Sequence, residues 1–250
     1  MSMGGLRRFN AVMALVHAAQ AIIVWRLSTD FIVPITGSYL HYDQASQSLI
    51  PASKPLFEFN FIWLIVGFFA ASAIAHGLAA TVLHKSYESN LQKGLNRIRW
   101  FEYAFGAGLM MVAVAVLVGD YDASSLKMVF GLTAVMCLMG LVMELYNQGK
   151  KTIRWLPYWI GVLAGIIPWI VVAIYLRLSA GEGSGPPTFV YFIFVSIFIL
   201  YCSFAINMLL HYRQVGRWKD YLYTERMYIY LSLIAKSALA WQIFAGSLRP

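Results

Sequence analysis

The sequence predicts an all-α membrane protein, a bundle of seven transmembrane helices with a small hairpin-like cap on one side. Two observations indicate this fold class. Of the 250 residues, 60% are hydrophobic and 12% are charged, whereas soluble domains carry about 25% charged residues. Seven segments are also long enough to cross a hydrocarbon core, which takes about 20 mainly apolar residues. They cover approximately residues 9–27, 59–84, 95–119, 125–148, 153–178, 187–211 and 222–246.

The connections between these segments favour a single domain over residues 1–250. After the second span the connections are short, and no internal repeat or low-complexity tract interrupts the chain. The connection at 28–58 is the exception, because it is too long for a turn. Its short alternating stretches are punctuated by Gly37 and three prolines, a pattern typical of a β-hairpin or cap over one mouth of the bundle. A flexible loop is the alternative.

The distribution of basic residues predicts how the protein is oriented. Thirteen of the 19 lysines and arginines lie in the connections on the side of the N-terminus (the N-terminal side), and five lie on the opposite side. Basic connections stay in the cytoplasm. We therefore expect a multi-pass protein of the cell membrane, surrounded by lipid, with its N-terminus inside and its C-terminus outside. The net charge of +8 follows from this orientation and does not indicate nucleic-acid binding.

One lysine, Lys236, lies near the middle of the last span, about ten residues from either end. A cation at this depth costs about 2.5–3.5 kcal/mol, and its side chain is too short to reach either surface. The amine therefore needs a buried carboxylate, loses its proton, or is used covalently. A desolvated lysine is the usual nucleophile that forms a Schiff base with an aldehyde. A lysine paired with a glutamate purely for helix packing is the plainer alternative.

Two side chains are candidate partners of this lysine. Ser232 precedes Lys236 by four residues and shares its helix face. Glu102, on the third span, reaches the depth of Lys236 if that helix begins early, near residue 91, and is then the natural counterion. Because Arg99 precedes Glu102 by three residues on the same face, a surface Arg–Glu pair at the helix end is the alternative.

Further polar residues occur inside the spans. Ser72 and His76 lie four residues apart on the second span, and His17 lies on the first. Together with Lys236 they predict a shared, hydrated pocket, although lone histidines often serve packing. The two histidines lack the additional ligands of a metal site.

On the N-terminal side, a polar network is possible, with water-facing carboxylates as the alternative. Its candidates are Asn96, Arg99, Tyr103, Glu144 and Glu225.

Aromatic and sulfur-containing residues occur in the spans at about the same depth as Lys236. Such residues pack any bundle, but they would also form a flat, polarisable slot for a conjugated chain, with Gly140 leaving room and Pro168 freeing a backbone carbonyl. The candidate lining residues are Met136, Gly140, Pro168, Phe198, Tyr201 and Trp241.

Seven spans with a lysine in the middle of the last resemble the retinal-binding rhodopsins. Ordinary microbial rhodopsins have their N-terminus outside and usually an aspartate four residues before the lysine. This chain has its N-terminus inside by the charge rule, Ser232 at that position, a long first extracellular connection, and the sequence RWFEY from Arg99 to Tyr103. These features resemble the heliorhodopsin family over essentially the whole chain.

The resemblance implies all-trans retinal bound to Lys236 as a Schiff base. Glu102 would be the sole carboxylate counterion, with Ser232 nearby and a hydrated cavity at His17 and His76. It also implies homodimers in the membrane and a non-pumping photoreceptor with a slow photocycle.

The acidic residues support a sensor over a pump. Proton export needs a relay that reaches both faces, yet the outer half of the last span, SALAWQIFAG, and the outer end of the third, LMMVAVAVLV, contain no carboxylate. We therefore expect light sensing with a cytoplasmic signalling partner of unknown identity. A light-driven ion transporter of the microbial rhodopsin type is the alternative, and a transporter without retinal that uses Lys236 and Glu102 as a charge pair is another. No catalytic triad or phosphate-binding loop indicates an enzyme.

Overall fold

The computed structural model describes residues 3–181 and 185–248. Within these residues, seven helices are long and apolar enough to cross a membrane, which confirms the predicted fold class. They are α1 (Met3–Leu27), α2 (Ile62–Ala80), α4 (Arg97–Leu117), α5 (Ala123–Asn147), α6 (Leu156–Ala180), α7 (Thr188–Tyr212) and α8 (Tyr221–Ile243). A short helix α3 (His84–Gln92) lies between α2 and α4, a 3₁₀ turn (Gly216–Lys219) precedes α8, and a π-helical turn (Phe244–Leu248) follows it.

The start of α4 differs from the prediction. From the sequence, Glu102 reaches the depth of the lysine only if this helix begins near residue 91, but the helix begins at Arg97. Gly94, with φ of +68°, ends the preceding turn, and Asn96 caps the new helix by accepting a hydrogen bond from the Arg99 amide at 3.1 Å. Because Asn96 is itself buried, α4 starts inside the bundle, and Glu102 needs no extra turns to gain depth.

The long first connection forms an antiparallel hairpin of β1 (Ile32–Asp43) and β2 (Ser48–Asn60). The predicted hairpin is thus confirmed, and the flexible-loop alternative is wrong. At its base, Val33 and Ile35 are buried in the bundle core, whereas the strands beyond are mostly exposed.

The hairpin is attached to the turn between α4 and α5. The Thr36 amide donates to the Tyr121 carbonyl at 2.8 Å, and the Ser38 amide and hydroxyl donate to one carboxylate oxygen of Asp122 at 3.0 and 2.8 Å. The other oxygen of Asp122 accepts from the first amides of α5. One aspartate therefore both caps a membrane helix and fixes the hairpin base.

The bundle core is divided between its two halves. The largest apolar cluster fills the half next to the hairpin, while aromatic side chains such as Trp100, Tyr103 and Tyr228 pack the N-terminal half. The orientation in the membrane, with the N-terminus in the cytoplasm and the C-terminus outside, stays a prediction. Of the five basic residues assigned to the outer side, Arg249 lies outside the described residues.

Candidate functional site

Lys236 is buried at the centre of a small hydrogen-bonded cluster. Its Nζ donates to Glu102 Oε1 at 2.8 Å and to the Ser232 hydroxyl at 2.7 Å, and both charged side chains are about 5% exposed or less. The Ser72 hydroxyl donates to the same oxygen of Glu102 at 2.7 Å. Glu102 therefore does not belong to a surface pair with Arg99. Its charge is placed against the buried amine.

Gly106, which was not predicted from the sequence as a site residue, makes room for the pair of Glu102 and Lys236. A Cβ at this position would lie 3.0 Å from Glu102 Oε1 and 3.4 Å from Lys236 Cε. The lysine stem thus passes directly over the backbone of α4. The Tyr103 ring faces the amine as well, with its centroid 5.4 Å from Nζ, a distance at which an aromatic ring attracts a cation.

An apolar cavity of about 360 Å³ extends from Lys236 between helices α4 to α8. Four of the six predicted lining residues border it, namely Met136, Gly140, Phe198 and Tyr201. Pro168 and Trp241 do not. Pro168 is buried within α6, and Trp241 turns toward α1, where its Nε1 donates to Gln20 Oε1 at 3.1 Å. Helical spacing gives depth but does not fix which side of a helix faces the cavity, and a contact of these two residues with a bound chromophore stays a prediction.

The role expected of Gly140 also changes. A Cβ there would overlap the Trp100 ring, so the indole already occupies the space that the glycine leaves. Trp100 in turn borders the cavity. Gly140 therefore shapes the cavity by letting an aromatic wall approach α5.

The two histidines lie side by side next to this cluster. Their rings stack with centroids 5.6 Å apart. His76 Nδ1 lies 2.7 Å from Asn10 Oδ1, whereas neither ring nitrogen of His17 has a hydrogen-bond partner among the described residues. The part of the chain that the structure describes contains no group of three or more histidine, cysteine, aspartate or glutamate residues able to hold a metal ion.

A second charged cluster lies on the N-terminal side. Arg99 forms ion pairs with both Glu144 and Glu225, and all three are buried. The Asn96 amide donates to Glu144 at 2.9 Å and its side chain donates to Glu225 at 2.6 Å. The alternative of water-facing carboxylates is therefore wrong. The guanidinium also packs over the Tyr228 ring, 4.2 Å from its centroid.

Tyr103 was expected in this second cluster but lies between the two. Its hydroxyl donates to the Tyr228 backbone carbonyl at 2.8 Å, while its ring faces Lys236. A tyrosine one residue after the counterion candidate lies on the adjacent flank of α4, so it contacts α8 at an intermediate depth.

Two residues that were not predicted from the sequence, Asn10 and Tyr87, connect His76 to the second cluster. The Asn10 amide donates to the Tyr87 hydroxyl at 3.2 Å, and that hydroxyl donates to Glu225 at 3.2 Å. Together with the contact of His76 to Asn10, they form a continuous hydrogen-bonded path (the relay) from His76 to Glu225. Asn10, an amide within the first apolar span, was a signal that could have been followed. Tyr87 had none, because α3 reads as a polar connection.

The heliorhodopsin family model matches residues 6–248. The chain belongs to the heliorhodopsin family. It is therefore a light-responsive retinal protein, as the resemblance implied. No curated protein matches the chain.

Two solved structures share the fold of this heliorhodopsin. The light-driven proton pump LR (Mac) from Leptosphaeria maculans is 13% identical, with a TM-score of 0.64 over 97% of this chain and 94% of that chain. Cyanorhodopsin from Tolypothrix sp. NIES-4075 is 13% identical, with a TM-score of 0.60 over 99% of this chain and 96% of that chain. At this identity the likeness shows the fold alone.

The cavity of this heliorhodopsin fits a retinal chromophore. Ligand pockets commonly measure about 300–1,000 Å³ and are mainly apolar, with a few placed polar groups. Here aromatic and methionine side chains form most of the walls, Lys236 and Ser232 are among the few polar lining residues, and the Lys236 Nζ contacts Glu102. A long apolar molecule with a single aldehyde matches these apolar walls and the lysine amine among them.

Proposed function

We propose that this heliorhodopsin senses light through all-trans retinal held on Lys236 as a protonated Schiff base, and that it does not pump ions. The observation that carries the proposal is the buried Nζ of Lys236, which opens onto an aromatic cavity and contacts Glu102 at 2.8 Å. Lys236 would hold the group through a carbon–nitrogen double bond to its aldehyde carbon, with the aldehyde oxygen leaving as water. The bound group supplies light absorption and isomerisation.

Glu102 stabilises the positive charge on that nitrogen. A cation in a low-dielectric interior persists only beside an anion, and Glu102 is the carboxylate in contact. Ser72 holds Glu102 Oε1 in place at 2.7 Å, and Ser232 accepts the second hydrogen bond of the amine at 2.7 Å. These two serines keep the pair oriented without adding a competing charge.

The relay supports a sensor because it leads in one direction only. A proton that leaves the nitrogen meets Glu102 first. The relay is separate from this pair, because no hydrogen bond within the described residues joins Glu102 to His76, and it runs from His76 through Asn10 and Tyr87 to Glu225 on the N-terminal side. Histidines near this path are suited to share a proton.

Toward the opposite side, α4 continues with buried apolar residues up to Val116. Ser237 and Trp241 both donate to Gln20 Oε1 there, and none of these three residues carries a titratable group. The proton therefore returns from the side to which it left.

The signal is then a change in the second charged cluster. Neutralising Glu102 alters the charge seen by Arg99, three residues earlier on the same helix, and so changes its pairing with Glu144 and Glu225. We expect a cytoplasmic partner to read this change. A homodimer in lipid belongs to the same proposal, and mass photometry of the protein in nanodiscs tests it.

Attachment is tested by adding all-trans retinal to purified protein, reducing with borohydride and mapping the modified peptide. We expect the added mass on Lys236. Lys236→Ala should give no visible band, while the control Lys127→Ala, at an exposed position near the start of α5, should give the normal one. A normal visible spectrum in Lys236→Ala would remove the attachment site.

Transport is tested in illuminated proteoliposomes. A sensor gives no sustained change in external pH and no stationary photocurrent. A light-dependent pH change that a protonophore abolishes would instead establish the alternative, a light-driven ion transporter.

A further inference from the structure

A small open cavity of about 280 Å³ lies at the N-terminal side, where the connection from α7 enters α8. Its walls are Arg217, Asp220, Tyr223 and Arg226. None of them borders the apolar cavity at Lys236, and none takes part in the relay. The cavity therefore needs an explanation of its own.

Two arginines share one aromatic ring in this cavity. The guanidinium carbons of Arg217 and Arg226 lie 5.0 and 5.2 Å from the centroid of Tyr223. Within residues 3–181 and 185–248, neither arginine forms an ion pair with a carboxylate. Arg226 Nε is shielded from solvent and has no hydrogen-bond partner in the same part of the chain. Two neighbouring cations with free donors form a receptor for an anion.

The one carboxylate in the cavity does not cancel this charge. Asp220 caps α8, accepting a hydrogen bond from the Leu222 amide at 2.9 Å, so part of its acceptor capacity is used. Two arginines against one aspartate leave the cavity positive. Trp218 holds the connection in place by donating to Asn207 at 2.7 Å, and its ring packs edge-on against Tyr223 at 5.2 Å.

The surroundings indicate a lipid as the source of the anion. Trp and Tyr side chains concentrate at the height of the lipid headgroups, and the cavity lies at the start of a helix that crosses the membrane. From Arg226, the same face of α8 continues four and eight residues later with Tyr230 and Ile234, which are 41% and 50% exposed. An acyl chain can lie along this exposed apolar face while its headgroup stays at the arginines.

We propose that Arg217 and Arg226, spaced by Tyr223, bind the headgroup phosphate of an anionic phospholipid from the leaflet on the N-terminal side. Arginine binds phosphate oxygens with paired, parallel hydrogen bonds. Free inorganic phosphate offers the same chemistry but has no part that would use the apolar face of α8.

Native mass spectrometry of the full-length protein, released from detergent with phosphatidylglycerol or with phosphatidylcholine of the same acyl chains, tests the proposal. Wild type should retain phosphatidylglycerol more strongly. Arg217→Gln/Arg226→Gln should weaken that retention by about 25-fold, since each basic residue at an anionic membrane surface contributes roughly a factor of five.

The matched control is Lys150→Gln/Lys151→Gln, which removes two charges from exposed positions on the same side and should behave as wild type. Arg217→Gln alone, which changes an exposed side chain outside the helices, keeps the test valid if the double variant does not fold.

Equal retention in Arg217→Gln/Arg226→Gln and wild type, or an equal loss in the lysine control, would refute the site. Excess inorganic phosphate should not displace the lipid. If it does, and phosphatidylglycerol is then no better retained than phosphatidylcholine, the site binds a soluble anion and the lipid assignment is wrong.

Discussion

Replacing Glu102 with glutamine removes the one carboxylate that contacts Lys236 among the described residues. The substitution keeps the size of the side chain and an oxygen that can accept the hydrogen bond from Ser72. It therefore changes charge with little change in shape. Once retinal is attached, the nitrogen of Lys236 loses its counterion.

The size of the effect follows from the geometry. Unit charges separated by the 2.8 Å between Nζ and Oε1 attract by about 6 kcal/mol at an effective dielectric constant of about 20. This corresponds to about four powers of ten in the equilibrium between the protonated and neutral nitrogen. The hydrogen bond to Ser232 survives and recovers part of it, so we expect a shift of about two to four powers of ten.

The assay is the absorption spectrum of the retinal-bound protein at neutral pH, in sulfate and in chloride. Glu102→Gln should absorb in the ultraviolet in sulfate, because the nitrogen is neutral, and chloride can restore a visible band by replacing the lost anion. Ser232→Ala should shift the colour modestly and stay visible. If Glu102→Gln remains visible in sulfate while Glu144→Gln loses its visible band, the counterion has been assigned to the wrong carboxylate.

Three further outcomes follow from other contacts. Arg99→Gln should lower the free energy of unfolding by about 3–5 kcal/mol, because it leaves two buried carboxylates unpaired. The control Arg97→Gln, one residue after the helix cap, should not lower it. Thermal unfolding in detergent compares the two variants. Tyr87→Phe interrupts the relay, so flash photolysis should show altered rise and decay of the deprotonated intermediate with an unchanged dark spectrum, and unchanged kinetics would exclude the relay. Asp122→Ala should cost about 1 kcal/mol through the lost helix cap. The hydrogen bond from the Ser38 hydroxyl holds the pKa of Asp122 below its usual range. The stability that this carboxylate contributes is therefore present above its pKa in the unfolded chain and is lost as the pH falls through the lowered pKa of the folded protein. Acid titration of Asp122→Ala should lack that loss.

Most of the fold was predictable because a membrane imposes one requirement on every span. A helix that crosses lipid must be long and apolar, and both properties can be read from composition. The hairpin was predictable for a similar local reason, since prolines and glycine divide short alternating stretches. Local signals also explain the error at α4, where Gly94 and Asn96 form a helix stop and a helix cap that were read as part of a longer helix.

The candidate site was less predictable because it depends on which faces of different helices meet. Lys236 and Glu102 could be paired by charge and depth, since few charged residues lie inside the spans. The pairing of Asn10 with Tyr87 depends on the way α3 folds back against α1, which no periodicity encodes. Likewise, the sequence indicates that Gly140 leaves room for a neighbouring group, but it does not show that this group is the Trp100 ring.

The arrangement of α4 and α8 explains how one event at Lys236 can reach the second cluster. On α4, Arg99 and Glu102 lie three residues apart and share a face, yet each bonds to a different partner on α8. On α8, Glu225 and Lys236 are separated by 11 residues, close to three full turns, so they too share a face about 16 Å apart. The two helices are thus joined by two ion pairs in parallel. Breaking the pair at Lys236 leaves Arg99–Glu225 as the remaining ion pair between these helices within the described residues. Because Arg99 also pairs with Glu144 on α5, a change in that ion pair would extend to a third helix.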